Sequence, residues 1–174
     1  MNRKRIASIF SATLLLLSML LCAVACQQDP ADDPQKDGED LGTYTVQYQG
    51  TVITLGKDAS AVLKALGEPT AKQFVASCGD GAGDQWRYTY SSIYLFTVKT
   101  DEGETVDAIA LRDDIAKTGK GITVGSTEAE MTAAYGEPTA KQENNYRYIN
   151  GNQTMEFQMN DAGVIAMVEM RIES

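Results

Sequence analysis

Seven residues, GEPTAKQ, occur twice in this chain, at Gly67–Gln73 and at Gly136–Gln142. This repeat constrains the fold more than any other feature, because it marks a longer duplication. Ile53–Gln73 aligns with Ile122–Gln142 without a gap, and eleven of the 21 positions are identical. Beyond the heptapeptide the alignment continues with small gaps. Trp86-Arg87-Tyr88 falls on Tyr146-Arg147-Tyr148, Phe96 and Val98 on Phe157 and Met159, and Ile109–Arg112 on Val168–Arg171. Self-similarity at a period of roughly 60–70 residues indicates a duplicated unit. Two copies are too few for a solenoid and predict side-by-side packing in one domain.

Each copy reads alike. A short strand ends at Gly56 or Gly125, and a helix follows. Thr127 and Glu130 form a T-x-x-E capping box that satisfies free N–H groups at the helix start. Asp58 stands at the corresponding position of the first copy and caps alone. Val62 and Leu66, like Met131 and Tyr135, are spaced i, i+4 and share a helix face. Gly67 and Gly136 suit the left-handed position just past a helix. Pro69 and Pro138 stop the helix and bias the preceding glutamate toward extended geometry. The heptapeptide is therefore read as a stop-and-turn device that launches the next strand. Three or four antiparallel strands follow in each copy, closing with Glu104–Arg112 and Val164–Arg171. Tyr44, Val46 and Tyr48 alternate in an additional strand or hairpin that turns at Gln49-Gly50. Asp113–Lys120 connects the copies. The expected fold is α+β: two tandem repeats, each a short helix packed on a three- or four-stranded antiparallel sheet, together forming one domain. Copy one spans about 51–112 and copy two about 120–174, within a domain of 43–174.

The pattern I-x-x-G-x-x-x-x-x-[VM]-x-x-x-[LY]-G-x-P is carried by Ile53, Gly56, Val62, Leu66, Gly67 and Pro69, and again by Ile122, Gly125, Met131, Tyr135, Gly136 and Pro138. It resembles the β-lactamase-inhibitor-protein fold, and the single-copy SmpA/OmlA (BamE-like) outer-membrane assembly lipoproteins look similar. The resemblance covers both copies and rests on folding residues. It implies a curved sheet whose helix-free face is open to a protein partner. Inhibition of β-lactamase does not carry over, since no inhibitory loop matches residue by residue.

The N-terminus supplies an address. MNRKR is a basic start, and Ile6–Leu21 is an apolar run of 16 residues. Small residues then precede a cysteine in Ala23-Val24-Ala25-Cys26, as in a secretory signal. This stretch resembles a bacterial lipobox, which implies residues 1–25 as signal peptide, Cys26 as the lipidated mature N-terminus, and acyl chains as the membrane anchor. The alternative is an uncleaved membrane anchor. Residues 26–42 are polar, acidic and rich in Asp and Pro, and read as a flexible tether. Cys78 is then the one remaining thiol. It reads as a small buried residue, with a reactive or intermolecular role as the alternative.

Charge and composition exclude some functions. Beyond Arg3, Lys4 and Arg5 there are twelve basic residues against 24 acidic ones, a balance that repels nucleic-acid phosphates. No histidine occurs anywhere. The commonest general base and metal ligand are therefore missing, and no Ser-His or Cys-His pair can form. The sequence reads as no enzyme, and no metal or other cofactor is implied.

Strand parity nominates a binding surface. Phe96, Val98, Ile109 and Leu111 are placed inward, leaving Ile93, Leu95, Thr97, Ala108 and Ala110 outward, with Thr154, Glu156, Gln158, Met167 and Glu169 outward in the second copy. Arg87 and Arg147 stand at matched outward positions, as interface anchors or as members of a solvated ion network. The candidate binding residues are thus Arg87, Ile93, Leu95, Thr97, Arg147, Glu156 and Gln158. That face either meets a partner or packs against the N-terminal hairpin or the other copy. Trp86, Tyr88, Tyr90, Tyr94, Tyr146 and Tyr148 are read as core, with a ligand platform as the alternative. The Gly-rich stretch Cys78–Gln85 is read as a connecting loop. The expected function is a membrane-anchored lipoprotein that binds an envelope or extracellular protein without catalysis. The alternative is capture of a small ligand or peptide in the groove between the copies.

Overall fold

The computed structural model describes residues 44–75 and 84–173. The signal segment, Cys26, the tether and Cys78 lie outside the described residues. Strands β1 (Thr45–Tyr48) and β2 (Thr51–Thr54) form the first hairpin. Gln49 and Gly50 at its turn both have positive φ, 50° and 75°, as a two-residue hairpin turn requires. Helix α1 (Ala59–Leu66) follows, then β3 (Ala71–Val75), β4 (Asp84–Thr89), β5 (Ile93–Thr100) and β6 (Gly103–Leu111). The short strand β7 (Lys117–Thr118) leads to α2 (Glu128–Tyr135), β8 (Ala140–Gln142), β9 (Asn145–Asn150), β10 (Gln153–Met159) and β11 (Ile165–Ile172).

The expected α+β architecture of two helix-on-sheet repeats is not what forms. The fold is mostly β. One antiparallel sheet of eight strands runs in the order β3-β4-β5-β6-β11-β10-β9-β8, and a second sheet of three runs β2-β1-β7. The two described helices have eight residues each. The duplication survives as mirrored strand order, but the halves share one sheet through β6 and β11, where Leu111 faces Val168 and Ala108 faces Arg171. Two physical reasons favour this. A closing strand left at an edge would expose a row of backbone donors and acceptors, and pairing β6 with β11 satisfies both rows. The helices are also too narrow to roof a sheet: α2 buries only Met131, and α1 only Ala59, Val62 and Leu66. The small sheet supplies the rest of the roof with Val46, Tyr48 and Ile53, joined by Leu55 just past β2, all in the same core as Ile93, Leu95, Ile109, Met155, Phe157 and Met170. The connector contributes to that sheet too, since Lys117 and Thr118 pair with β1.

The helix ends are set locally. Asp58 Oδ1 accepts from Ser60 N at 2.9 Å, and Thr127 and Glu130 complete a capping box. Gly67 and Gly136 close the helices with N–H bonds to Leu63 O and Thr132 O at 3.1 and 2.8 Å. Their φ is positive, 71° and 76°, but ψ is −157° and −159°, so neither adopts the left-handed helical cap expected. This extended positive-φ region is essentially reserved for glycine. Their carbonyls accept the hydroxyls of Tyr90 and Tyr148 at 3.2 and 2.9 Å. The heptapeptide therefore ties helix end to sheet in both halves.

Those paired tyrosines correct the alignment. Tyr88-Thr89-Tyr90 corresponds to Tyr146-Arg147-Tyr148, because Ala71 faces Thr89 as Ala140 faces Arg147. The shift of two residues arises because β3 and β4 continue two pairs further, to Phe74–Trp86 and Val75–Gln85, whereas β8 turns into β9 after Gln142.

Candidate functional site

The roof covers one face of the eight-stranded sheet, and no described element covers the other. Register decides which residues reach the open face. Ile93 pairs with Leu111 and Leu95 with Ile109, placing all four on the roofed side. Ile93, Leu95 and Thr97 are each 0% exposed. They belong to the core and do not form the outward binding patch expected of them. Phe96 and Val98, expected inward, are half-buried on the open face with Tyr94. The parity was illegible because Ile93, Tyr94, Leu95, Phe96 and Val98 are apolar on both faces, so no period-two alternation exists to read. The second copy does alternate: Met155, Phe157 and Met159 point into the core, and Thr154, Glu156 and Gln158 point away.

The open face has two chemically different halves. On the β9–β11 side, Glu156 accepts from Arg147 Nε at 2.6 Å and pairs with Arg171 at 3.4 Å. Arg171 also meets Glu169 at 3.4 Å and Glu173 at 3.3 Å. These arginines are partly exposed, so the network is worth little in stability. Gln158 is exposed beside it, as are Ile149 and Met167.

On the β4–β6 side the arginines have no acid. Arg87 donates to Gln73 Oε1 and lies over the Tyr94 ring at 5.3 Å. Arg112, just past β6, lies over the same ring at 4.7 Å and donates to the carbonyls of Tyr90 and Ser91 at 3.2 and 3.3 Å. Phe96, Val98, Ala108 and Ala110 form an apolar floor beside this pair. At its far end Gln85 donates to Asp107 at 2.9 Å. Burial pushes the Asp107 carboxyl above its ordinary range, and the bond from Gln85 opposes that rise. Arg87 and Arg147 are not the matched pair expected from sequence, since Thr89 takes the place of Arg147 in the first copy.

A second feature lies on the roofed side. An open cleft of about 720 Å³ is lined by Leu63, the turn Gly67–Thr70, Lys72, Tyr88, Tyr90 and Glu104, among others. It sits within the first copy, not between the copies. Glu104 accepts from Tyr88 Oη at 2.8 Å and Thr97 Oγ1 at 2.5 Å. Lys72 Nζ stands 4.5 Å from the Trp86 ring centroid and 4.8 Å from that of Tyr88. Burial raises the Tyr88 hydroxyl pKa, while Lys72 pulls it down. In the second copy Lys141 sits over Tyr146 at 4.3 Å and is paired with Glu128 at 3.1 Å. Bonds from Tyr146 and then Lys141 hold Glu128 below the usual carboxylate range.

Tyr88, Tyr90, Tyr146 and Tyr148 are core residues, Trp86 is partly buried against them, and Tyr94 alone of the six aromatics faces the open side. Among the described residues no group of three carboxylate, cysteine or histidine side chains is placed to hold a metal ion.

No family model matches the chain, and no curated protein matches it. Among solved structures the chain is similar to a DUF4309 family protein (YjgB) from Bacillus subtilis, at 17% identity and a TM-score of 0.41, over 70% of this chain and 82% of that one. It is also similar to an extracellular protein containing a SCP domain from Bacillus anthracis, at 11% identity and a TM-score of 0.40. That match covers 68% of this chain and 44% of the other, so this chain spans less than half of it. Likenesses this distant place the chain in no family.

Proposed function

We propose that the chain is an exported lipoprotein, anchored through acylated Cys26 on the outer side of the cell membrane, whose open sheet face binds another protein without catalysing a reaction. The address rests on the sequence: a basic start, an apolar run and small residues before Cys26. Two or more acyl chains suffice for stable anchoring. The binding role rests on one observation. A whole face of the eight-stranded sheet carries Tyr94, Phe96, Val98, Ile149 and Met167 with no described layer over it. An uncovered patch of that kind, interleaved with arginines, suits a protein interface.

The test places a photo-crosslinking residue at position 96 on the open face and, as a control, at exposed Val52 on the small sheet. Irradiation of intact cells should join a discrete protein to position 96 and not to position 52. Identical adducts from both positions, or none from 96, would refute the binding face. Independently, Cys26→Ser should release the chain from the membrane fraction. Unchanged partitioning would refute the anchor.

The cleft at Lys72 and Tyr88 favours a second reading, capture of a small ligand. Trp86 is the only tryptophan of the chain and lies beside Lys72. Its fluorescence would report a cleft ligand, and its silence toward extracts of low-molecular-weight compounds would remove this reading.

A further inference from the structure

We infer that Arg87 and Arg112, bracketing Tyr94, are the anchor of the open face, and that the partner presents a carboxylate side chain with an apolar residue beside it. This rests on the reading of that face as a protein-binding surface. The described residues hold four arginines, and their partners differ by half. Arg147 and Arg171 are committed to Glu156, Glu169 and Glu173. Arg87 and Arg112 reach only neutral oxygens, those of Gln73, Tyr90 and Ser91. No described carboxylate stands within ion-pair distance of either. In a chain of net charge −9, two cations converging on one ring without an acid are the exception.

The geometry prepares both guanidinium groups for an anion. Stacking on Tyr94 and bonds to carbonyls restrict their rotamers in advance, so less side-chain entropy is lost when a carboxylate arrives. Both guanidinium groups reach only neutral oxygens, so a carboxylate arriving beside the ring accepts charge-assisted bonds that no group of the described residues supplies. The floor next to them is apolar: Tyr94 faces Ala110 and Phe96 faces Ala108 across β5 and β6. Both alanines are only 8% exposed, so the larger, half-buried Tyr94 and Phe96 beside them supply most of the apolar surface that a partner meets. An anionic bilayer fits less well. It would meet Glu156, Glu169 and Glu173 on the other half of the same face, whereas a protein loop can address one half alone.

The test selects a random dodecapeptide display library on the full-length chain in detergent. Enriched peptides should carry Asp or Glu next to an aromatic or aliphatic residue. Their affinity should fall about thirtyfold with Arg87→Gln/Arg112→Gln and less than about threefold with Arg147→Gln, whose charge is already paired. Circular dichroism establishes that each variant is folded. Exposed Arg112→Gln alone, with a smaller loss, serves if the double variant is not. Peptides that depend on Phe96 (lost with Phe96→Ser) yet lack an acid, or tolerate both arginine changes, would overturn the anchor and leave the binding face standing. If no enriched peptide responds to Phe96→Ser, the face itself is refuted.

Discussion

Leu95 and Val98 lie three residues apart on one strand, and their truncations should differ in a way that tests the assignment of the two sheet faces. Leu95 is 0% exposed and sits in the core opposite Ile109, so Leu95→Ala removes buried methyl groups and leaves a cavity. Such changes destabilise by about 2–5 kcal/mol, and about 3 kcal/mol is the central expectation here. Val98 is half-buried on the open face, where the void fills with solvent and only part of the transfer free energy is lost. Val98→Ala should therefore destabilise by less than about 1 kcal/mol. For a folded unit of this size, 3 kcal/mol corresponds to a drop of roughly 12 °C in Tm. In urea, with a slope of about 1–3 kcal/mol per molar, it moves the midpoint down by one molar or more. Equilibrium urea unfolding followed by circular dichroism reads both variants. The reverse order, with Val98→Ala the more damaging, would mean that Phe96 and Val98 face the core and that Ile93 and Leu95 lie on the open face.

Gly136→Ala should destabilise by about 2 kcal/mol although nothing lies within 4 Å of the added methyl, because φ 76° with ψ −159° is strained for any residue with a Cβ; thermal unfolding reads it, and a neutral result would contradict that backbone. Thr127→Ala removes the side-chain acceptor of the second helix cap and should cost about 1 kcal/mol by urea midpoint. Asp107→Asn should stabilise the fold at neutral pH. The folded chain holds the Asp107 proton more tightly than the unfolded chain, so stability falls as pH rises from the ordinary carboxylate value through the raised folded one, and ionised Asp107 remains a penalty above that. The gain from Asn should shrink to nothing at about pH 3, and an equal gain at both pH values would rule out this cause.

Much of the local structure was legible because short-range chemistry sets it. Asp58, Thr127 and Glu130 announce helix starts, Gly67-Glu68-Pro69 and Gly136-Glu137-Pro138 announce the stops, and Gln49-Gly50 announces a tight hairpin. The second copy also declared its faces, since Met155, Phe157 and Met159 alternate with Thr154, Glu156 and Gln158. The first copy did not. Apolar residues on both faces of β5, at Ile93, Tyr94, Leu95, Phe96 and Val98, left Ile93 and Leu95 looking as suitable for the surface as Phe96. The unpaired arginines were hidden for a related reason. Arg87 and Arg112 lie 25 positions apart in sequence, and only the strand order β4-β5-β6 sets them on either side of Tyr94.

By itself, the sequence determined a duplicated unit, its helix starts and turns, and an acidic composition without histidine, because each is written in neighbouring residues. Only the tertiary structure decided that the two copies merge into one eight-stranded sheet, that the N-terminal hairpin and the connector help to roof it, and which face stays open. The reason is physical. Strand pairing and face assignment depend on long-range register, where the pairing of Leu95 with Ile109 sends every neighbouring side chain to one side or the other.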